Sequence, residues 1–500
     1  MTSPTSTMSA GWRSEELAHA VAGELLAPGT GHPLDRAVAD TRHLRQGGVF
    51  LALQGRRMHG IEAWQHAVQA GAGAILVGSD APPERVQEVV SQLSSEVALI
   101  QCDVPSLEMV GIVARAWRRR CDFTVIGITG SSGKTSTKEL LREVLSDSVR
   151  VAASHANHNN ELGVPLTLLG ADPQTDVVIC EMGMRGLGQI TYLCDIAEPD
   201  IGIITTIGTA HLELLGSVAN IAQAKSEIIA GVRGGIAIIP ASNPDLLMRS
   251  GGDPGTVLTF SGPETAVEGS DIAVLDVTRT RHGIAGVLEH RDMGKAPFEV
   301  PFHGVHNAGN LAAACCAMLA AGCSWEQVML AVRRPLHAWN HVTSGRGERI
   351  VLAELGVVIN DAYNANPESM RAALDELAAV NTSGARVAVL GFMAELGPDA
   401  ASMHAQVATH AASLPIDRLV VLNTMPEVMA MAEAWNELRS DPAVLVSGVQ
   451  SLIDEIADWA PGPDGAVLIK ASNSVGLGRA VEVLVERYGA HQDARKGDQS

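Results

Sequence analysis

Aromatic residues are scarce, 3% of 500 residues, beside 46% hydrophobic residues and 50 glycines. A soluble globular chain of that kind builds its core largely from small aliphatic groups. Positive charge is also short. The chain has 36 basic against 56 acidic residues, a formal charge of −20, which argues against a nucleic-acid backbone or an anionic membrane as the main partner and leaves room only for a local basic pocket. Lysine is confined to Lys134, Lys138, Lys225, Lys295, Lys470 and Lys496. Long apolar runs are missing: the longest, Leu311 to Cys323, has 13 residues, too few for a membrane span, so no stable membrane insertion is expected. The seven cysteines are odd in number and form no CxxC pair, the pattern of buried free thiols in a reducing cytoplasm. The opening MTSPTSTMSAG lacks the basic start and apolar core of a signal peptide, which agrees with a cytoplasmic location. A chain of this length is expected to divide into two to four domains.

Against that background, FTVIGITGSSGKTSTKEL (Phe123 to Leu140) stands out. A β-branched apolar run stops at Gly130, and a small polar turn leads through Gly133-Lys134-Thr135 into a helix-compatible segment. Strand, turn and helix in that order are the setting of a phosphate-binding loop. Gly130 and Gly133 let the backbone curl round phosphate oxygens, Ser131, Ser132 and Ser136 add polar groups, the helix N-terminus offers unpaired N–H groups, and Lys134 brings a mobile positive charge. Thr135 is left to hold magnesium. Ile128 occupies the place where the longer form of the motif has its first glycine.

The flanking sequence predicts the rest of an α/β chain. Residues 1–10 are expected to be disordered. Val49 to Gly55 reads as strand and turn, His66 to Gly78 as a helix end followed by a strand, and Ser106 to Arg120 as a helix that Ser106 caps. Asp40-Thr41-Arg42 is either a solvated turn or a ligand contact. Asp176 to Cys180, Ile201 to Thr206 and Gly235 to Pro240 continue a parallel sheet, whose ligands gather at strand ends. Glu181, directly after one of these strands, is either an exposed strand cap or a magnesium ligand facing Thr135. His211 reads as a structural hydrogen-bonding residue or a metal ligand. Lys225, on a helix from Val218 to Ile229, either reaches out to solvent or, with its pKa depressed, reacts with carbon dioxide to give a carbamate ligand. The amide-rich stretch from Asn157, with Asn159 and Asn160, is a candidate ligand loop. Residues 250–303 are strand-rich. Asn307 and Asn310 open an alanine-rich helix and either read a nucleobase edge or cap the helix. Asp361, Asn364 and Asn366 lie in a strand-to-helix crossover, a position suited to ribose or substrate. Strands at Arg386 to Gly397, Asp417 to Asn423, Ala443 to Gly448 and Ala466 to Asn473 complete a last αβ unit, and the tail after Tyr488 is expected to be loose.

Taken together, ITGSSGKTSTKE, NHNNELGVPLTLL, ICEMG, IGTAHLELLGS, AKSEI, HNAGN, Gly345-Arg346, DAYNANPESM and LGFMAELG resemble, in sequence and in order, the Mur ligase family from about residue 35 to 480. DAYNANP makes the chain most similar to the MurF-like branch. The resemblance implies a three-domain α/β fold: a small mixed domain (1–120) for a nucleotide-sugar acceptor, a central P-loop ATPase-like parallel-sheet domain (121–338), and a Rossmann-like domain (339–500) for the amino substrate. It implies ATP and magnesium as cofactors, with phosphates at the Lys134 loop, one metal at Thr135 and Glu181, and a second metal region at His211 and a carbamylated Lys225. Asn310, with Asn307 beside it, matches the adenine position, Arg346 the phosphate-contacting arginine and Asp361 the ribose-contacting acid. Asp40, Thr41, Arg42, Asn159, Asn160, Asn364, Asn366 and Lys470 fall in its substrate-binding segments. A monomer is expected.

The implied reaction is ATP-dependent amide ligation through an acyl phosphate, joining D-Ala-D-Ala to UDP-MurNAc-tripeptide. The sequence departs from the family at particular places. His59 and Ile61 stand at the spacing of an Asp and a His, Asn360 replaces an acid, Phe392 replaces another, and Ala471 replaces the glycine after Lys470. These departures motivate a second reading, a ligase for a different carboxylate and amine. A third, a noncatalytic binding paralogue, predicts loss of Lys134, Glu181, His211 or Lys225, and all four are present.

Overall fold

The computed structural model describes residues 11–30, 33–34, 36–55, 57–155, 158–280, 282–336, 339, 345–423, 425–459 and 461–489. The expectations for residues 1–10, for Asn157 and for the tail beyond Gly489 lie outside them, as do most residues around the expected boundary between 338 and 339.

Three sheets organise the chain. The first has five strands: β1 (Gly23–Pro28), β2 (Ala37–Val38), β3 (Gly48–Ala52), β4 (Ala72–Val77) and β5 (Ala98–Cys102), in the order β1-β5-β4-β3-β2. Only β1 runs antiparallel to its neighbour. The second is nine-stranded. It comprises β6 (Thr124–Thr129), β7 (Val151–Ala153), β8 (Val177–Glu181), β9 (Ile201–Ile204), β10 (Ile236–Pro240), β11 (Thr256–Ser261), β12 (Ile272–Arg279), β13 (Ile284–His290) and β14 (Gly294–Val300), ordered β14-β13-β12-β11-β10-β9-β6-β8-β7. The third contains β15 (Glu348–Leu352), β16 (Gly356–Asn360), β17 (Arg386–Leu390), β18 (Arg418–Leu422), β19 (Val444–Val446) and β20 (Ala466–Lys470), ordered β15-β16-β20-β17-β18-β19.

The sequence explains the central strands. Val125, Ile126 and Ile128 are fully buried, as expected of a parallel strand covered by helices on both faces, where apolar residues run continuously instead of alternating. The strand-rich 250–303 segment is not a separate layer. β11 pairs in parallel with β10 and β12 with β11, and β13 and β14 then add antiparallel, giving a mixed edge to the sheet. The helix Ser106–Arg120 forms as expected, but Ser106 does not cap it. Its hydroxyl donates to Asp80 at 2.7 Å and accepts from the Gln54 N–H at 2.9 Å, tying two loops of the first sheet together.

The cores divide unequally. One apolar cluster runs without a break from Trp12, Leu51 and Leu76 in the first unit to Val178, Ile190 and Ile239 in the central one. The other side of the central sheet has its own core, and the third sheet has two more, built from residues beyond 349. Among the described residues no helix is long and apolar enough to cross a membrane.

Candidate active site

The strand order turns back at β6, which has β8 on one side and β9 on the other. The loop after β6 therefore opens at a topological switch point, where α/β sheets leave a crevice at the strands' carboxyl ends. Gly130 and Gly133 both have positive φ, 156° and 82°. A Cβ on Gly130 would sit 1.9 Å from Thr205 Oγ1, and one on Gly133 would sit 2.4 Å from Asn310 Oδ1, so both positions require glycine on steric grounds as well as conformational ones. The loop is braced by the residues after β9: Ser131 N–H donates to the Thr206 carbonyl at 2.9 Å, and Ser132 N–H to Thr206 Oγ1 at 3.0 Å. The helix Lys134–Leu145 starts at the end of the loop with no side-chain cap, which leaves its first N–H groups available to an anion. Thr135 and the half-buried Ser136 lie on its first turn.

Lys134 folds back and donates from Nζ to the Gly130 carbonyl at 2.6 Å. Burial pushes its pKa below the ordinary value; Glu181 opposes that shift and Arg346 adds to it. The parallel register pairs Ile128 with Glu181, and this sets the carboxylate beside the loop. Glu181 is the last residue of its strand and is buried. Its two oxygens accept from Thr135 Oγ1 at 2.7 Å and Asn159 Nδ2 at 3.0 Å. Asn160 turns away and accepts the Gly163 N–H at the start of the next helix, 2.9 Å.

Lys225 is only 1% exposed on the helix Val218–Gly231. Among the described residues its ammonium has no hydrogen bond or ion pair. Burial drives its pKa well below 10.5, and the positive charge of Lys134 adds to the effect. A buried, unpartnered amine of this kind fits carbamate formation, because the neutral form is the nucleophile and the product gains an anion next to a lysine. Thr135 and Glu181 likewise offer the hard oxygen donors that magnesium prefers. Among the described residues there is no group of three or more His, Cys, Asp or Glu side chains that could hold a metal. His211 does not approach such a set; its Nδ1 bonds Glu395 Oε2.

Asn307 and Asn310 lie on the first turn of the helix Asn307–Ala320, bonded to each other at 2.8 Å, and Thr137 Oγ1 donates to Asn310 at 3.3 Å. Arg346 comes from the third unit and lies over the Tyr363 ring, 4.0 Å from its centroid. Asp361 pairs with the buried Lys470 at 2.6 Å, and Lys470 also donates to the Asn364 carbonyl at 2.8 Å. Asn366 caps the helix Pro367–Ala378. Asp40, Thr41 and Arg42 form an exposed turn in the first unit; Arg42 bonds Asp40 at 2.6 Å and holds its carboxyl at a pKa of about 2.

Sequence reasoning missed Thr205, Thr206, Tyr363 and Glu395. The first two close the segment Ile201 to Thr206 that the sequence reads as a strand and follow β9 in the structure, and the others sit inside DAYNANP and LGFMAELG, so the segments were visible and the particular side chains were not.

The Mur ligase middle domain model matches residues 128–318, and the Mur ligase glutamate ligase domain model matches residues 345–473. A UDP-N-acetylmuramoyl-tripeptide–D-alanyl-D-alanine ligase of Synechocystis is 37% identical over 461 residues, covering 90% of this chain and 92% of the relative. The chain belongs to the Mur ligase family, in its MurF-like branch. The corresponding Escherichia coli protein is 32% identical, covering 91% and 94% of the two chains. Among solved structures, MurF of Acinetobacter baumannii superposes with a TM-score of 0.78 at 28% identity, covering 95% of this chain and 99% of that one. Thermotoga maritima MurF in complex with ADP gives 0.73 at 25% identity, covering 91% and 98%. This Mur ligase is therefore an ATP-dependent amide ligase.

Proposed function

We propose that the protein joins D-Ala-D-Ala to UDP-MurNAc-tripeptide with hydrolysis of ATP to ADP and phosphate. The observation that carries the ligase chemistry is the meeting of Lys134, the Thr135–Glu181 pair and the unpartnered Lys225 with Arg346 from the third unit, and the choice of substrates rests on the names of the relatives that are 37% and 32% identical. The first unit would hold the nucleotide-sugar acceptor, the middle domain ATP, and the third unit the incoming amine.

A carboxylate will not expel oxide, so the acceptor's terminal carboxylate is first converted to an acyl phosphate. Lys134 and Arg346 stabilise charge on the transferring phosphoryl group, and the N–H groups opening the helix at Lys134 hold phosphate oxygens. Thr135 and Glu181 would hold magnesium, which supplies further charge neutralisation there. Asn159 keeps the Glu181 carboxylate oriented. A carbamylated Lys225 would supply a second anion facing Lys134. Asn307 and Asn310 would meet the adenine, and Asp361, steadied by Lys470, the ribose. An unprotonated amine then attacks the acyl carbon and phosphate leaves through a tetrahedral intermediate. The residues that bring the third unit over the crevice restrict water, whose attack would waste the activated acid.

The departures from the family, which motivate the alternative reading of a ligase for another carboxylate and amine, are accommodated within the fold. His59 caps the turn Gly60–Ala63 by accepting the Ile61 N–H at 3.1 Å, and Ile61 is fully buried. Asn360 bonds Glu348 at 3.0 Å, Phe392 stacks on the buried His404, and Ala471 is in the core. Each altered side chain is taken up in internal packing. The test is incubation of the pure protein with ATP, UDP-MurNAc-tripeptide and D-Ala-D-Ala, with phosphate release and product mass measured. Product at the mass of the pentapeptide nucleotide is expected. No product from a protein that turns over another acid and amine would overturn the assignment.

A further inference from the structure

The middle and glutamate ligase domains meet at a second place, away from the phosphate loop. Glu376, on the helix Pro367–Ala378, is 5% exposed. One carboxylate oxygen accepts from Arg349 of β15, within its own domain, and the other accepts from Arg279 Nε at the end of β12, across the junction, at 3.1 Å. His303, also from the middle domain, points Nδ1 at the same carboxylate from 3.8 Å. Burial, reinforced by Arg349, pushes the His303 pKa down to about 4, so the ring is neutral at pH 7 and adds no third cation.

The charge count is informative. Arg349 already pairs with Glu376 within its own domain, so Arg279 is a second cation on the same carboxylate. Adding a second arginine leaves a cationic surplus, and Arg349 Nε is buried without a hydrogen-bond partner. An ion pair between a buried carboxylate and a half-exposed arginine contributes little net stability, and the best-supported use of such pairs is to select one geometry among several.

The junction also connects to the nucleotide site. The His303 carbonyl accepts from Asn307 Nδ2 at 2.7 Å, Asn307 Oδ1 accepts from Asn310 Nδ2 at 2.8 Å, and Asn310 Oδ1 lies directly against Gly133 of the loop. Two hydrogen bonds thus link Asn310, which packs against the loop, to the backbone of the residue that faces Glu376.

We propose that Glu376 is a positioning residue for ligation: by clasping Arg279 it fixes the glutamate ligase domain in the orientation that brings Arg346 and Tyr363 to the phosphate loop. It touches no reacting atom. The proposal rests on the assigned reaction only for its activity readout.

Arg279→Gln is the decisive variant, because Arg279 has a 40% exposed side chain and its loss leaves the Arg349–Glu376 pair intact within its own domain. Loss of a charge-assisted bond that acts only in the docked state should lower kcat about tenfold or more. ADP affinity, a property of the middle domain, should stay within about twofold, and the thermal midpoint should move by no more than about 2 °C. Arg279→Lys should recover part of the rate. Adding Arg279→Gln to Glu376→Gln should cost nothing further, since the two act as one unit. Small-angle scattering with a nonhydrolysable ATP analogue reads the same device without any acceptor: the wild type should compact and Arg279→Gln should not. Unchanged kcat and compaction in Arg279→Gln, a fall in thermal midpoint with kcat preserved, or fully additive losses would each overturn the proposal. Failure of the wild type to ligate D-Ala-D-Ala would count against the substrate assignment and leave the scattering result to judge the clasp.

Discussion

Lys225→Met offers a test in which stability and activity should move in opposite directions. The side chain is 1% exposed, has no partner among the described residues, and has its pKa driven well below 10.5 by burial and then by Lys134. Methionine nearly preserves its shape and carries no charge. Folding at pH 7 requires either burying an ammonium without a counter-ion or stripping its proton. The second route costs at most about 4.8 kcal/mol for a group that titrates at 10.5 when unfolded. Relaxation and residual hydration reduce the penalty, so a gain of about 1–4 kcal/mol is expected for the variant. The sign with pH is fixed. The unfolded chain binds more protons than the folded one between the folded and unfolded pKa of Lys225, so wild-type stability rises with pH in that window. The advantage of Lys225→Met is therefore greatest below the folded pKa and fades as pH approaches 10.5. Urea midpoints at pH 7 and pH 9.5, in buffers purged of carbon dioxide, measure it, and turnover should be lost throughout. Bicarbonate should raise the wild-type midpoint and leave the variant's unchanged. A variant less stable than wild type at pH 7, or an advantage that grows with pH, would refute the account of Lys225 as an unpaired buried amine.

Two further outcomes concern the loop. Glu181→Gln removes the charge and leaves one amide oxygen where Thr135 and Asn159 now find two acceptors, so the magnesium concentration for half-maximal rate should rise about tenfold or more; an unchanged requirement would remove Glu181 from the metal site. Gly133→Ala and Gly188→Ala form a matched pair, with φ of 82° and 80°, but a Cβ meets Asn310 at 2.4 Å in the first and nothing within 4 Å in the second. Both should lose about 1–2 kcal/mol to the left-handed backbone, measured by urea denaturation. Only Gly133→Ala should also weaken ADP binding, and equal ADP affinity in the two variants would contradict the packing of Asn310 against the loop.

How much of this was legible in the sequence depended on whether a residue's partner was near in the chain or fixed by a regular element. Glu181 was legible because a strand ends there and a parallel neighbour carries the phosphate loop, so the register does the placing. β6, β8 and β9 were legible because β-branched apolar runs suit a doubly covered sheet. The pairing of β13 and β14 onto the same sheet was not, since alternating strands name no partner. Lys225 in an apolar helix was equally compatible with reaching solvent and with burial; only packing on every side of the helix decides between them. His211 finds Glu395 184 residues later, and no local pattern announces that contact. Glu376, in LDELA on an amphipathic helix, has the look of an ordinary solvated charge until Arg279 is brought against it from another sheet.

The distribution of apolar contact explains why the clasp and the His211–Glu395 pair matter together. The first and central units share one continuous hydrophobic cluster, so separating them would expose core. Among the described residues no buried apolar cluster joins the residues up to Trp339, which pack in the central core, to those from Leu352 onward, which form the third unit's cores. Polar contacts do cross, among the described residues. Thr209 donates to Glu368 at 2.9 Å, His211 bonds Glu395, the Glu213 N–H donates to the Glu395 carbonyl at 3.2 Å, and Arg279 holds Glu376. Water can replace contacts of that kind at small net cost, whereas it cannot replace a buried apolar seam. A shared core joins the first two units, and a polar junction of this kind would let the glutamate ligase domain dock against them and release. An enzyme that must admit a nucleotide, an acid and an amine, and then exclude water from an acyl phosphate, needs that asymmetry at this junction and rigidity at the other.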